Sequence, residues 1–155
     1  MKKISKFILL IILLLTLTSC GNHIEDKNGP DDFTLETITE EDILNGYSVV
    51  SVKQSLVRKN NEYKYSVKKL SGVEEIFKGS FQDDDVAITL DTSVESGNAQ
   101  IVLVYKGMIL KRFLLNSENQ VFSMTGLNGE IKILVAGESA KVNVNFIVES
   151  SKGIS

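Results

Sequence analysis

The side chains that most often carry out catalysis are scarce in this chain. Its 155 residues include one histidine, His23, and one cysteine, Cys20. Nucleophilic catalysis by serine or cysteine usually needs a histidine base, and zinc sites need several histidine or cysteine ligands, so the composition excludes both. His23 lies in a polar segment without apolar periodicity, where a general base is not held against a substrate. The sequence therefore predicts no catalytic residues and a protein that is not an enzyme.

A run of three acids, Asp83, Asp84 and Asp85, is the strongest candidate for a metal site. Calcium binds about six to eight oxygen ligands, often from closely spaced carboxylates, and Asp91 or Asp31–Asp32 would supply others. The spacing does not match an EF-hand loop, in which acids alternate with other residues around a glycine. We favour an acidic turn that binds no ion, and we keep calcium as the alternative.

Pairs of carboxylates are too common in this chain to predict a reaction. Glycoside hydrolysis needs two acids at a defined separation. With 20 acidic residues in the sequence, some close pair is expected by chance. A small carboxylate- or metal-dependent hydrolase is therefore the least favoured function.

The N-terminal segment must be set aside before the fold is considered. Three lysines within the first six residues precede an unbroken apolar run, Phe7–Leu15. This run is shorter than the roughly 20 apolar residues that cross a bilayer as a helix. A basic start, a short apolar stretch and small residues before Cys20 are typical of an export signal. We expect residues 1–19 to be a cleaved signal peptide.

The tetrapeptide Leu17-Thr18-Ser19-Cys20 resembles the lipobox of bacterial lipoproteins. The resemblance implies that diacylglycerol is attached to the sulfur of Cys20 and that a signal peptidase cleaves between Ser19 and Cys20. It covers only this segment and implies nothing about the fold that follows. The alternatives are an ordinary secretory signal and an uncleaved anchor helix.

The same resemblance predicts where the protein lies. Acyl chains, at about 0.8 kcal/mol per buried methylene, would anchor it to the cell membrane on the extracytoplasmic side. Gly21 carries no acidic side chain, so the outer membrane is the alternative in a host with two membranes.

Removal of residues 1–19 leaves 14 basic and 20 acidic residues, a formal charge of −6. An acidic chain without a basic stripe predicts no nucleic-acid partner and no electrostatic adhesion to anionic lipid.

Residues 20–46 are predicted to be the lipidated N-terminus, a polar tether and a lead-in to the folded domain. Within them, Thr39–Gly46 has the pattern of a short helix. Thr39 is a suitable N-cap, acids occupy the first turn, and Gly46 fits the position after the last turn.

From Tyr47 onward apolar residues recur at every second position, the pattern of half-buried antiparallel strands. Short turn signals separate these runs, and no long amphipathic helix is evident. We therefore predict an all-β domain over residues 47–149, with a tail at 150–155. The predicted fold is an antiparallel β-sandwich of about eight or nine strands, immunoglobulin-like or jelly-roll-like. The inward positions include Val86, Ile88, Leu90, Ile131, Ile133, Val135, Val142, Val144, Phe146 and Val148.

Two further features refine this prediction. Ile101–Tyr105 is apolar at every position, which predicts a central strand covered on both faces. Tyr63 and Tyr65 share one strand face. We assign them to the core, and the alternative is an exposed aromatic strip that stacks on sugars.

The sequence thus predicts a membrane-anchored cell-envelope lipoprotein with a non-catalytic binding domain. Its partner would be another envelope protein, a peptide or a glycan. A structural or accessory subunit of an envelope complex is the alternative. The segments predicted to contact a partner are Gln82–Asp85, Glu95–Asn98 and Asn116–Asn119, because they are polar and lie between strands.

Overall fold

The computed structural model describes residues 35–153, which form one short helix and five strands. Every strand pairing is antiparallel. The elements in chain order are α1 (Glu40–Asn45), β1 (Val50–Val52), β2 (Ser55–Lys59), β3 (Glu62–Tyr105), β4 (Met108–Phe113) and β5 (Gln120–Ser150).

The two long strands, β3 and β5, bend and pass through both layers of the fold. Val144 of β5 pairs with Tyr65 on one side and with Thr92 on the other, and both partners belong to β3. Ile133 in the other half of β5 likewise lies between Phe77 and Leu103. Each half of β5 is therefore the middle strand of its own layer.

These pairings define an antiparallel β-sandwich, which confirms the predicted fold class. Layer A has the order 120–124, 86–94, 142–150, 62–67 and β2. Layer B has the order β1, 69–81, 129–137, 99–105 and β4.

Several of the turn signals fall on bulges inside continuous strands, so that β3 and β5 each supply more than one segment of the two layers. The chain changes layer where the register shifts, for example beside Gly72 and Gly97. Both glycines have positive φ, +124° and +73°. A Cβ on Gly72 would lie 2.1 Å from the Ser48 carbonyl oxygen. Glycine is needed here because the backbones approach too closely for a side chain.

The core between the layers is built around three aromatic rings. Tyr63 and Phe146 of layer A stack with centroids 4.7 Å apart, and Phe77 of layer B meets Tyr63 edge-on at 5.2 Å. Tyr63 and Tyr65 are buried, so their assignment to the core is confirmed. The hydroxyl of Tyr65 donates to Glu74 Oε2 at 2.6 Å. Burial, together with this carboxylate, raises the pKa of Tyr65 and keeps the phenol protonated.

A second, smaller core lies outside layer B, under α1. Ile43 of the helix and Ile38 before it pack on Val102 and Val104, and this contact explains why Ile101–Tyr105 is apolar on both faces. Thr39 and Asp42 form a reciprocal capping box at the start of α1, which confirms the predicted helix. No helix within residues 35–153 is long and apolar enough to span a bilayer.

One carboxylate, Glu138, fastens the lead-in to the sandwich. It accepts hydrogen bonds from the backbone N–H groups of Glu36, Thr37 and Ile38, at 3.0, 2.5 and 3.2 Å. Desolvation raises the pKa of Glu138, but these donors outweigh it and lower the pKa to about 2. The lead-in is thus part of the packed domain from Leu35 onward.

We expect Glu138→Gln to destabilise the domain by about 1–3 kcal/mol, because charge-assisted hydrogen bonds are lost. A lowered pKa in the folded state means that the stabilisation is complete above the ordinary carboxyl pKa of 4.5 and is lost as the pH falls toward about 2. Urea unfolding at pH 7 and pH 3 measures this. The variant should be less stable than wild type at pH 7, with a smaller difference at pH 3. An equal difference at both pH values would contradict the prediction.

Candidate binding face of the sandwich

Among the described residues, the two outer faces of the sandwich differ in what covers them. Helix α1 packs on layer B, whereas the outer face of layer A is polar and faces solvent. Two neighbouring rows cross the middle strands of this face in register. Their members are Glu62, Ile147 and Thr89 in one row and Lys64, Asn145 and Asp91 in the other.

A shallow groove of about 330 Å³ follows these two rows. Ile147, the apolar residue in the middle, keeps 36% of its surface exposed. Asn119 closes one end, where its backbone N–H donates to Asp91 Oδ1 at 2.7 Å. The positive φ of Asn119, 53°, allows this turn of the loop after β4. Amide, hydroxyl, ammonium and carboxylate groups therefore surround one apolar contact.

Three of these groups are available to a ligand. Within residues 35–153, the side chains of Lys64, Thr89 and Asn145 make no hydrogen bond or ion pair to another side chain or to the backbone. The side chains of the next row of the face, by contrast, form hydrogen bonds with one another.

The neighbouring row forms a closed network. Ser66 Oγ donates to Asn143 Oδ1 at 2.7 Å, and Asn143 Nδ2 donates to Glu95 Oε1 at 3.2 Å. Lys141 forms an ion pair with Glu95. The hydrogen bond from Lys141 is the main cause that lowers the pKa of Glu95. This network fixes one border of the groove and leaves its side chains little capacity to bind a ligand.

The groups that line the groove are suited to hydrogen bonding. Residues 35–153 contain no histidine and no cysteine. The two carboxylates, Glu62 and Asp91, lie on strands separated by a third, so their backbones are roughly 10 Å apart across the sheet. The groove offers hydrogen bonding around a small apolar surface.

Two of the three segments predicted to contact a partner border this face. Asn116–Asn119 meets it through the bond from Asn119 to Asp91. Glu95–Asn98 borders the face of layer A because Glu95 accepts a hydrogen bond from Asn143. Gln82–Asp85 lies elsewhere, beside the C-terminal residues, where the Lys152 ammonium group binds the carbonyl oxygens of Gln82 and Asp83.

Asp83, Asp84 and Asp85, the candidate calcium ligands, each have a different environment in the structure. Asp84 accepts hydrogen bonds from the hydroxyls of Ser150 and Ser151, which lower its pKa. Asp85 Oδ1 accepts from a backbone N–H, and the Asp83 side chain is 87% exposed. Within the described part of the chain, no three acidic, histidine or cysteine side chains converge as metal ligands.

The groove residues Lys64, Thr89, Asn145 and Ile147 were not predicted as a site. The sequence does carry one signal of it. In 141–148 the outward positions are polar except Ile147, an apolar residue on a solvent-facing position. The predicted lipid-attachment residue Cys20 and the tether residue His23 lie outside the described residues.

Comparisons with known proteins find a distant structural similarity. No family model matches the chain, and no curated protein does. One solved structure that is similar is a mutant of a carbohydrate binding module of family 29. It is 12% identical, with a TM-score of 0.37, over 69% of this chain and 82% of that chain.

Proposed function

We propose that this protein is a membrane-anchored, non-catalytic binding module of the cell envelope that binds a glycan in the groove of layer A. The observation that carries the proposal is the set of unengaged polar side chains, Lys64, Thr89 and Asn145, around exposed Ile147. Sugar hydroxyls both donate and accept hydrogen bonds, and the amide and hydroxyl groups here do the same. The less polar face of a sugar ring would lie on Ile147.

The geometry of the groove favours a glycan over an extended peptide at this site. A peptide strand is recognised mainly through backbone groups at a sheet edge. The groove instead lies across the middle strands, where the backbone groups of 62–67, 86–94 and 142–150 already pair with one another. Only side chains are offered there, and a ligand with many hydroxyls can use them.

The lipobox at Leu17–Cys20 supports the anchoring part of the proposal. A lipid on Cys20 would hold the module at the membrane surface, on the side where envelope glycans lie. The acidic mature chain carries no general attraction to anionic glycans, so the proposed ligand is an uncharged or weakly charged glycan.

We expect the double variant Thr89→Ala/Asn145→Ala to bind purified envelope glycan about tenfold or more weakly than wild type, since two hydrogen bonds are lost. The matched control is Lys111→Ala, an exposed position in β4 away from the groove. Calorimetric titration of residues 21–155 with the purified envelope glycan measures the affinity of each variant. Both proteins should melt within about 3 °C of wild type, because exposed substitutions cost little.

Two outcomes would contradict this proposal. One is glycan binding that the double variant retains in full while a distant substitution removes it. The other is turnover of an envelope glycan, peptide or ester that depends on a single carboxylate or serine, which would make the domain an enzyme.

A further inference from the structure

The most exposed part of the sandwich is one of its lateral edges, formed by β1 and β2. Both strands pair with β3 alone and run antiparallel to its first part, from Val50↔Ser71 to Lys59↔Glu62. Lys53, with a φ of 54°, marks the break between them. Together they form a nearly continuous edge over residues 50–59, and no other described strand pairs with its outer side.

The hairpin geometry shows which backbone groups this edge leaves unpaired. Lys59 and Glu62 flank a two-residue turn and pair with each other, which makes them a hydrogen-bonded pair. Because hydrogen-bonded and non-hydrogen-bonded pairs alternate along an antiparallel ladder, Leu56 and Arg58 are the non-hydrogen-bonded positions. Their N–H and C=O groups point away from β3, toward a strand that would be added at this edge.

The side chains of the edge are unusually apolar for such exposed positions. Of the eleven large hydrophobic residues exposed in residues 35–153, six lie between positions 47 and 57. Val50 and Val57 keep 64% and 56% of their surface exposed. Four of the six, Val50, Val52, Leu56 and Val57, lie on the edge, and Tyr47 and Val49 directly precede it. Clusters of this kind mark interaction sites more often than ordinary surface.

The edge is also the basic part of an acidic protein. Residues 47–71 contain six basic side chains and one acid, Glu62, whereas the whole chain has a formal charge of −3. Three of the basic residues, Lys53, Arg58 and Lys59, lie on the edge itself, whereas Lys64, Lys68 and Lys69 lie on the adjoining part of β3.

We propose that this edge binds, along β2, an extended segment of a partner protein, rich in alternating acidic and apolar residues, which adds to layer A beside β2 as a further strand. The outward backbone groups of Leu56 and Arg58 would pair with that segment. Val57 and Leu56 would contact its apolar side chains on the two faces, and Lys59 and Arg58 would attract its acids.

Two other occupants fit the edge less well. A second copy of this chain would bring the same basic residues against each other, which is repulsive in an isologous contact. A lipid surface would satisfy the charges and the valines, but it offers no partner for the outward N–H and C=O groups, whose burial in hydrocarbon is costly. A peptide strand satisfies all three requirements.

The test uses residues 21–155 and a fluorescent ten-residue peptide of alternating glutamate and valine, titrated by anisotropy at low salt. Saturable binding should occur with this peptide and not with its lysine–valine counterpart. Leu56→Pro removes an outward N–H and should weaken binding about tenfold, whereas Leu56→Ala, which keeps the N–H, should weaken it about threefold. Arg58→Glu with Lys59→Glu should weaken it at least about tenfold.

A peptide N-methylated at alternate residues checks backbone pairing without altering the protein, and it should not bind. Asn145→Ala, in the groove of layer A, should leave peptide binding unchanged, so this site and the proposed glycan site can fail separately. Three results would overturn the proposal: full binding of the N-methylated peptide, preferential binding to phosphatidylglycerol vesicles, or peptide binding only after residues 21–34 are removed, which would assign the edge to the chain's own acidic segment.

Discussion

Replacing Phe146 by alanine should lower the free energy of unfolding by about 3–5 kcal/mol. Phe146 is 2% exposed and stacks on Tyr63 at 4.7 Å, and Phe77 of the opposite layer meets it edge-on at 6.0 Å. Alanine would leave a cavity between the two layers that the long strands cannot close, because both β3 and β5 are held in both layers. The loss includes the favourable ring geometry as well as the buried apolar area.

The matched control is Asn145→Ala, one residue away on the opposite face of the same strand. Its side chain is exposed and makes no hydrogen bond within residues 35–153, so the expected cost is within about 0.5 kcal/mol. Urea unfolding of residues 21–155, followed by far-ultraviolet circular dichroism, measures both. Similar losses at the two positions would show that the two faces of β5 are not distinct. The control is useful twice, since the same substitution is expected to weaken glycan binding.

Replacing Cys20 by alanine should abolish lipid attachment completely. Cys20 is the only cysteine of the chain, so no other thiol can accept the diacylglycerol. Because lipid attachment precedes cleavage in the lipoproteins that the lipobox resembles, the precursor should also accumulate uncleaved. Growth of the host with labelled fatty acid, followed by gel imaging, measures label and size together.

The control for this experiment is His23→Ala, three positions after the lipobox. It should be labelled and cleaved like wild type. Equal labelling of the Cys20 variant and wild type would refute the anchor. A variant that loses its label and is nevertheless released by cleavage would indicate an ordinary secretory signal, which was the alternative.

The two proposed sites divide the surface of layer A by the kind of group each presents. The groove offers side chains from the middle strands, and the β1–β2 edge offers backbone groups and charge. With both proposed sites occupied, the domain would bind a glycan on its face and a protein at its edge at the same time. Occupation of both sites would tie an envelope protein to the glycan that surrounds it.

The sequence by itself determined which residues face inward and where the short helix begins. A side chain in a strand alternates between two faces, so the spacing of Val142, Val144, Phe146 and Val148 was enough to predict their burial. A capping box is local as well, because Thr39 and Asp42 are three residues apart. The resemblance to a lipobox, which stays a prediction, is likewise carried by four adjacent residues, Leu17–Cys20. All of these patterns depend on neighbours in the chain.

Only the tertiary structure decided which strands are neighbours, and the candidate sites depend on that. Glu62 pairs with Ile147 and Asp91 pairs with Asn145, and nothing local in the chain specifies either pairing. Glycines such as Gly72 and Gly97 indicate a bend in the backbone, but they do not show whether the strand ends there or continues into the other layer. The sequence therefore predicted turns at positions where the strand continues. The groove and the free edge arise because long-range register brings distant residues together on one face and leaves β1 and β2 with a partner on one side only.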